Sequence, residues 1–144
     1  MAPFTGIGTQ LQRGNDASPQ VFVAIVGVTS INLNKGTKAQ IEVTDLANTS
    51  GYADYIGGLK EGGTVEAVAN YSADDDTLAS VEDDFDGTGD PRAWRIYFPQ
   101  SDSSPVATYE FLAYVEEYSF PAIQPKDAVK VNFKLKISGP VERV

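Results

Sequence analysis

The chain has 144 residues, a formal net charge of −9, 42% hydrophobic and 10% aromatic content, and neither cysteine nor histidine. Without those two residue types it cannot build a Ser-His-Asp or Cys-His triad, a disulfide framework or a zinc site of any usual ligand set. The length fits one domain, residues 1–144, with a real core, and the negative charge opposes nucleic-acid binding through phosphate neutralisation.

From the N-terminus, Met1 to Gly6 has neither a basic region nor an apolar stretch, and no apolar run is long enough to span a bilayer. No secretory signal and no membrane association are expected. The protein is expected in the cytoplasm unless an assembly carries it out. Gln20 to Val26 (QVFVAIV) is a nearly unbroken apolar run rich in β-branched residues, which predicts a strand buried on both faces. Ala39 to Thr44 alternates, with Ile41 and Val43 on one face. Gly63 to Tyr71 places Val65, Ala67, Ala69 and Tyr71 together. A helix is expected from about Asp75 to Phe85, with Leu78, Val81 and Phe85 on one stripe, Asp74 to Asp76 at its start and Gly87 as its stop. In RAWRIYF, Trp94, Ile96 and Phe98 share a face, and Phe111, Ala113 and Val115 share one in Tyr109 to Tyr118. Val129 to Ile137 is the cleanest strand. Val129, Val131, Phe133, Leu135 and Ile137 face one way, and Lys130, Asn132, Lys134 and Lys136 the other.

One long connection interrupts this pattern. Asp45 to Gly62 contains the Gly57-Gly58 pair, which argues against a helix, yet carries Leu46, Tyr52, Tyr55, Ile56 and Leu59. Apolar side chains in such a loop pack against their own domain or against a neighbour.

The order of these segments resembles the major tail tube protein of bacteriophages with long, non-contractile tails, the siphophage tail tube family. The resemblance is carried by GVTSIN at Gly27 to Asn32, by IEVTDLANTSGYADYIGGLKEGGTVEAVANY from Ile41 to Tyr71, and by RAWRIYFP at Arg92 to Pro99. The closing YEFLAYVEEYSF and KDAVKVNFKLKISGPV complete it. It implies a mainly β fold, a β-sandwich or barrel of two packed antiparallel sheets with one flanking α-helix. It also implies homo-hexameric rings that stack into a tube, with Asp45 to Gly62 as an assembly loop reaching a neighbouring subunit. The implied location is the virion tail, after assembly in the host cytoplasm. The implied partners are other copies of the chain and the tape measure, tail tip and tail terminator proteins; DNA passes through the lumen without specific binding. No catalytic residue, cofactor or metal is implied. An extra immunoglobulin-like domain, found in some relatives, is expected to be absent because the chain ends soon after Gly139-Pro140. Segments 1–14, 45–62 and the C-terminal end are expected to be flexible until assembly orders them.

The remaining candidate chemistry is acidic. Eight acids and no base lie between Asp74 and Asp90, and Glu82, Asp84, Asp86 and Gly87 match the opening of a calcium loop. The twelfth position, which should be a bidentate Glu, is Ala93, so a solvated helix end is the better account. Glu82, Asp83, Asp84 and Asp86 nevertheless crowd a helix C-terminus, where negative charge is unfavourable. An electrostatic contact between them and the lysine face of an adjacent subunit (Lys130, Lys134 and Lys136) is one reading, and two unrelated solvated faces is the other. Two further functions stay open: an extracellular adhesion or carbohydrate-binding β-sandwich, and the hexameric tube protein of a bacterial contractile secretion system.

Overall fold

A computed structural model describes residues 8–15, 19–72, 74, 76–99 and 107–143. Among them are eight strands and one helix: β1 (Gln10–Gly14), β2 (Phe22–Ala24), β3 (Val28–Glu42), β4 (Tyr55–Asn70), α1 (Asp76–Asp86), β5 (Arg92–Phe98), β6 (Ala107–Ser119), β7 (Lys130–Ile137) and β8 (Glu142–Arg143). The strands form one antiparallel sheet in the order β2-β1-β5-β6-β7-β4-β3, with β8 paired to β6.

The strict alternation of β7 sets its centre. Val131, Phe133, Leu135 and Ile137 are all buried, and Leu135 lies opposite Val65 of β4 on one side and Val115 of β6 on the other. The same phase runs outward through Phe111 to Trp94 and through Ile96 to Leu11. Each fully buried side chain of this size contributes about 1.5–3 kcal/mol. A one-residue slip of β7 would put its lysines in the core, so its register is fixed.

The expected two layers are two parts of this one sheet. It curls until Val28, Ile31 and Leu33 of β3 stand across a crevice of about 450 Å³ from Ile96 and Phe98 of β5. Helix α1 packs against β6 and adds Leu78 and Val81 to the core. Its first turn is tied down by the Val26 amide, which donates to Thr77 Oγ1 at 3.0 Å. Phe85 does not complete the expected stripe; it is 43% exposed beyond the edge of the core. Asp75 of the expected acidic cap lies outside the described residues.

Three further expectations change. Gln20 to Val26 is not buried on both faces: only Phe22–Ala24 is strand, at the sheet's edge, with Ile25 buried and Val21, Val23 and Val26 about half exposed. An apolar run has the same local signature at an edge as in the middle of a sheet, and here one side has no neighbour. Segment 1–14 contains β1, whose Leu11 is fully buried between β2 and β5; Met1 to Ile7 lie outside the described residues. Residues 55–62, expected in a loop, belong to β4, and β3 extends back to Val28.

Glycines mark where this long hairpin leaves the body. Burial alternates along β4 from Gly63 to Asn70 and is largely lost below Gly62. At that boundary a Cβ on Gly63 would run into the Asn34 carbonyl, and one on Gly62 into the Ile137 carbonyl, while Gly36 has φ +133°. Backbones approach too closely there for any side chain. Gly63→Ala is expected to lower stability in chemical denaturation by about 1–3 kcal/mol. Gly57→Ala, whose new Cβ meets only the flexible end of Lys38, is expected to change it by less than about 0.5 kcal/mol. Equal effects would contradict the close-approach account.

Candidate assembly surfaces

Beyond Gly36 and Gly62, β3 and β4 continue as a two-stranded arm closed by residues 43–54. The pairing passes from Lys38↔Lys60 to Gln40↔Gly57, so β4 holds one extra residue beside its glycine pair. Gly57-Gly58 therefore marks a β-bulge within a strand. The loop at the tip is built by its own hydrogen bonds. The Val43 amide donates to the Asp54 carbonyl at 2.8 Å, the Asp54 amide to Thr44 Oγ1 at 2.7 Å, and Asn48 Nδ2 to the Tyr52 carbonyl at 2.5 Å.

All five predicted loop residues lie on this arm. Leu46 is 106% exposed and Leu59 86%, with Tyr52, Tyr55 and Ile56 also exposed. Ile41 and Val43, placed together by sequence alternation, lie here as well, and Ile41 pairs directly with Ile56. A two-stranded hairpin alone is marginal in water, and its exposed apolar side chains make this arm the candidate contact surface.

The charged candidates separate into two groups. Asp84 is bound within the chain: Arg13 donates to it through Nε at 2.6 Å and Nη2 at 2.8 Å, and Arg92 approaches to 3.5 Å. This paired fork of hydrogen bonds is the strong form of the contact, and it straps α1 to β1 and β5. Glu82, Asp83 and Asp86 are exposed and make no ion pair among the described residues. On the outer face of β7, Lys134 lies 3.9 Å from Glu66, Lys136 donates to the Gly62 carbonyl at 3.1 Å, and Lys130 is exposed. No ion pair joins the acids of α1 to these lysines among the described residues.

Arg13 and Arg92 were not anticipated from sequence. A signal existed for Arg13, which shares the core phase of Leu11 and lies opposite Trp94; a charge in that phase requires a partner. Arg95 also organises the outer face, 3.9 Å above the Phe22 ring and 3.2 Å from Glu110.

No protein-family model and no curated protein matches the chain. Its structure matches several others along nearly its full length. A chain of the anti-feeding prophage baseplate, six-fold symmetrised, superposes with TM-score 0.75 at 8% identity, covering 100% of this chain and 97% of that one. A chain of the tail of an empty gene transfer agent particle, refined with six-fold helical symmetry, gives 0.74 at 12% identity, covering 99% of each. A chain of the SPP1 tail tube gives 0.63 at 13% identity, covering 98% of this chain and 78% of that one. At these identities the likeness establishes the fold, and it is the tail tube fold.

The strap and the free acids respond differently to neutralisation. Asp84→Asn is expected to cost about 1.5–3 kcal/mol in thermal or chemical denaturation. Glu82→Gln and Asp86→Asn are expected to be neutral or to stabilise by up to about 1 kcal/mol, because they remove negative charge from a helix C-terminus. A loss for the latter pair as large as for Asp84→Asn would contradict this division.

Proposed function

We propose that this chain is the structural tube subunit of a tailed particle, polymerising through stacked hexameric rings into the tail of a long-tailed bacteriophage. The observation that carries this reading is a tail tube fold bearing an apolar arm that no other described part of the chain covers. In the proposed assembly Leu46, Tyr52, Tyr55, Ile56 and Leu59 bury against neighbouring copies, and the chain acts as a conduit for DNA rather than as an enzyme. The tape measure, tail tip and terminator proteins are the proposed partners in the tail. Glu82, Asp83, Asp86 and Lys130 remain available for electrostatic contacts between copies; Asp84 is assigned to the intramolecular strap.

One observation favours a second reading. Fold neighbours also include a chain of an extracellular contractile injection system sheath-tube complex in its extended state, with TM-score 0.72 at 11% identity. A tube inside a contractile sheath is therefore the runner-up, and co-purification of a sheath protein from the native particle would select it.

Purified protein at rising concentration is expected to form hollow tubes of uniform width in electron micrographs. Leu46→Ser, Tyr52→Ser and Leu59→Ser combined should leave the circular dichroism spectrum unchanged and raise the concentration needed for assembly at least tenfold, equivalent to about 1.4 kcal/mol per subunit added. A folded wild-type chain that stays monomeric at every concentration contradicts the proposal.

A further inference from the structure

The curled sheet leaves a seam. Strand β3 is last in the sheet order, so along the crevice its outer edge pairs with no described strand. The crevice is apolar on both walls. Val28, Ile31 and Leu33 are half-buried against the core on the β3 side, and Ile96 and Phe98 stand on the β5 side. Phe98 is seated edge-on against Tyr109 at 5.9 Å, which fixes that wall. The space between the walls is about 450 Å³, and an apolar cavity of about 150 Å³ already holds a benzene ring.

Two features at one end of the crevice point to its occupant. Thr9, two residues before Leu11 and so in its core phase, lines the crevice, and its Oγ1 is buried with no hydrogen-bond partner among the described residues. A buried hydroxyl in that state needs a polar group brought to it. Gly8 has φ +83°, and Pro99 Cγ lies 2.8 Å from where its Cβ would be. The chain therefore turns there against the residue that follows β5, and the residues before Gly8 start at the crevice itself.

Those residues, Met1 to Ile7, read MAPFTGI, with Phe4 and Ile7 and no charged side chain. Such a segment enters an apolar crevice without stripping water from an ionised side chain. The tip of the arm, with Glu42, Asp45 and Asp54, would have to do so. Phe4 is four residues from Gly8, a reach of about 14 Å when extended. So short a tether holds the segment at an effective concentration in the millimolar range, which favours it over any free partner.

We propose that the crevice is the docking site of the chain's own residues 3–7. The Phe4 ring lies between Ile31 and Leu33 on one side and Phe98 on the other, and a peptide group of the segment bonds to Thr9 Oγ1. The segment seals the seam of the curled sheet from within the same copy. This docking requires no second copy and is independent of tube formation.

Nuclear magnetic resonance of dilute, isotope-labelled protein tests it. The Phe4 ring is expected to show nuclear Overhauser contacts to the methyl groups of Ile31 and Leu33. In a sample mixed from labelled and unlabelled copies, these contacts should stay within one copy. Phe4→Ser is expected to shift both methyl resonances and to raise the fluorescence of added anilinonaphthalene sulfonate several-fold, with an unchanged circular dichroism spectrum. Phe4→Leu, still apolar, should leave the dye signal near that of the wild type. A Phe4 ring with random-coil shifts and no contact to β3 overturns the docking, as do contacts found only between different copies.

Discussion

The structure depends on one constraint: a sheet with a single apolar face must cover that face by itself. Strand β7 sets the condition, because its buried residues are in phase with Val65 and Ala67 on one side and with Val115 and Ala113 on the other. With no second sheet among the described residues, the strands curl until β3 approaches β5, and α1 supplies Leu78 and Val81. Asp84, held by Arg13 and Arg92, ties the helix, which packs on β6, to β1 and β5. Among the described residues, covering the core in this way leaves the distal half of the β3–β4 hairpin exposed. The exposed arm is thus a consequence of how the core closes, and the glycines at its base let the two strands cross out of the body without a steric barrier.

How legible the fold is in sequence follows from how much each strand depends on its own pattern. Strands β5, β6 and β7 each carry three or more in-phase apolar residues, and their positions follow from alternation alone. Strand β1 carries only Leu11 and Arg13 on its core side, too little to announce itself. The first half of β3 is hidden by a bulge between Val28 and Ser30, which shifts Val28 out of step with Ile31 and Leu33. Glycines 57 and 58 read as a loop for the same reason: a bulge and a turn use the same residue. The edge position of β2 is not a local property at all, since it depends on which strands fail to arrive beside it.

The candidate surface was legible in its residues and not in its form. Tyrosines and leucines clustered between Asp45 and Gly62 single it out by composition, and the structure shows them exposed. Their presentation on an extended arm rests on pairings between β3 and β4 that join residues up to forty-one positions apart, such as Val28↔Ala69. The acidic segment was harder to divide. Four neighbouring carboxylates look alike in sequence, yet one is committed to two arginines from distant strands and the others face solvent.

The central claim is that the arm is an assembly surface. Hydrogen–deuterium exchange of the same preparation, dilute and assembled, tests it most directly. The claim predicts that peptides covering Ile41 to Leu59 exchange far more slowly after assembly, while β7 peptides, already buried in the single chain, change little. Arm peptides that exchange equally fast in both states would contradict it.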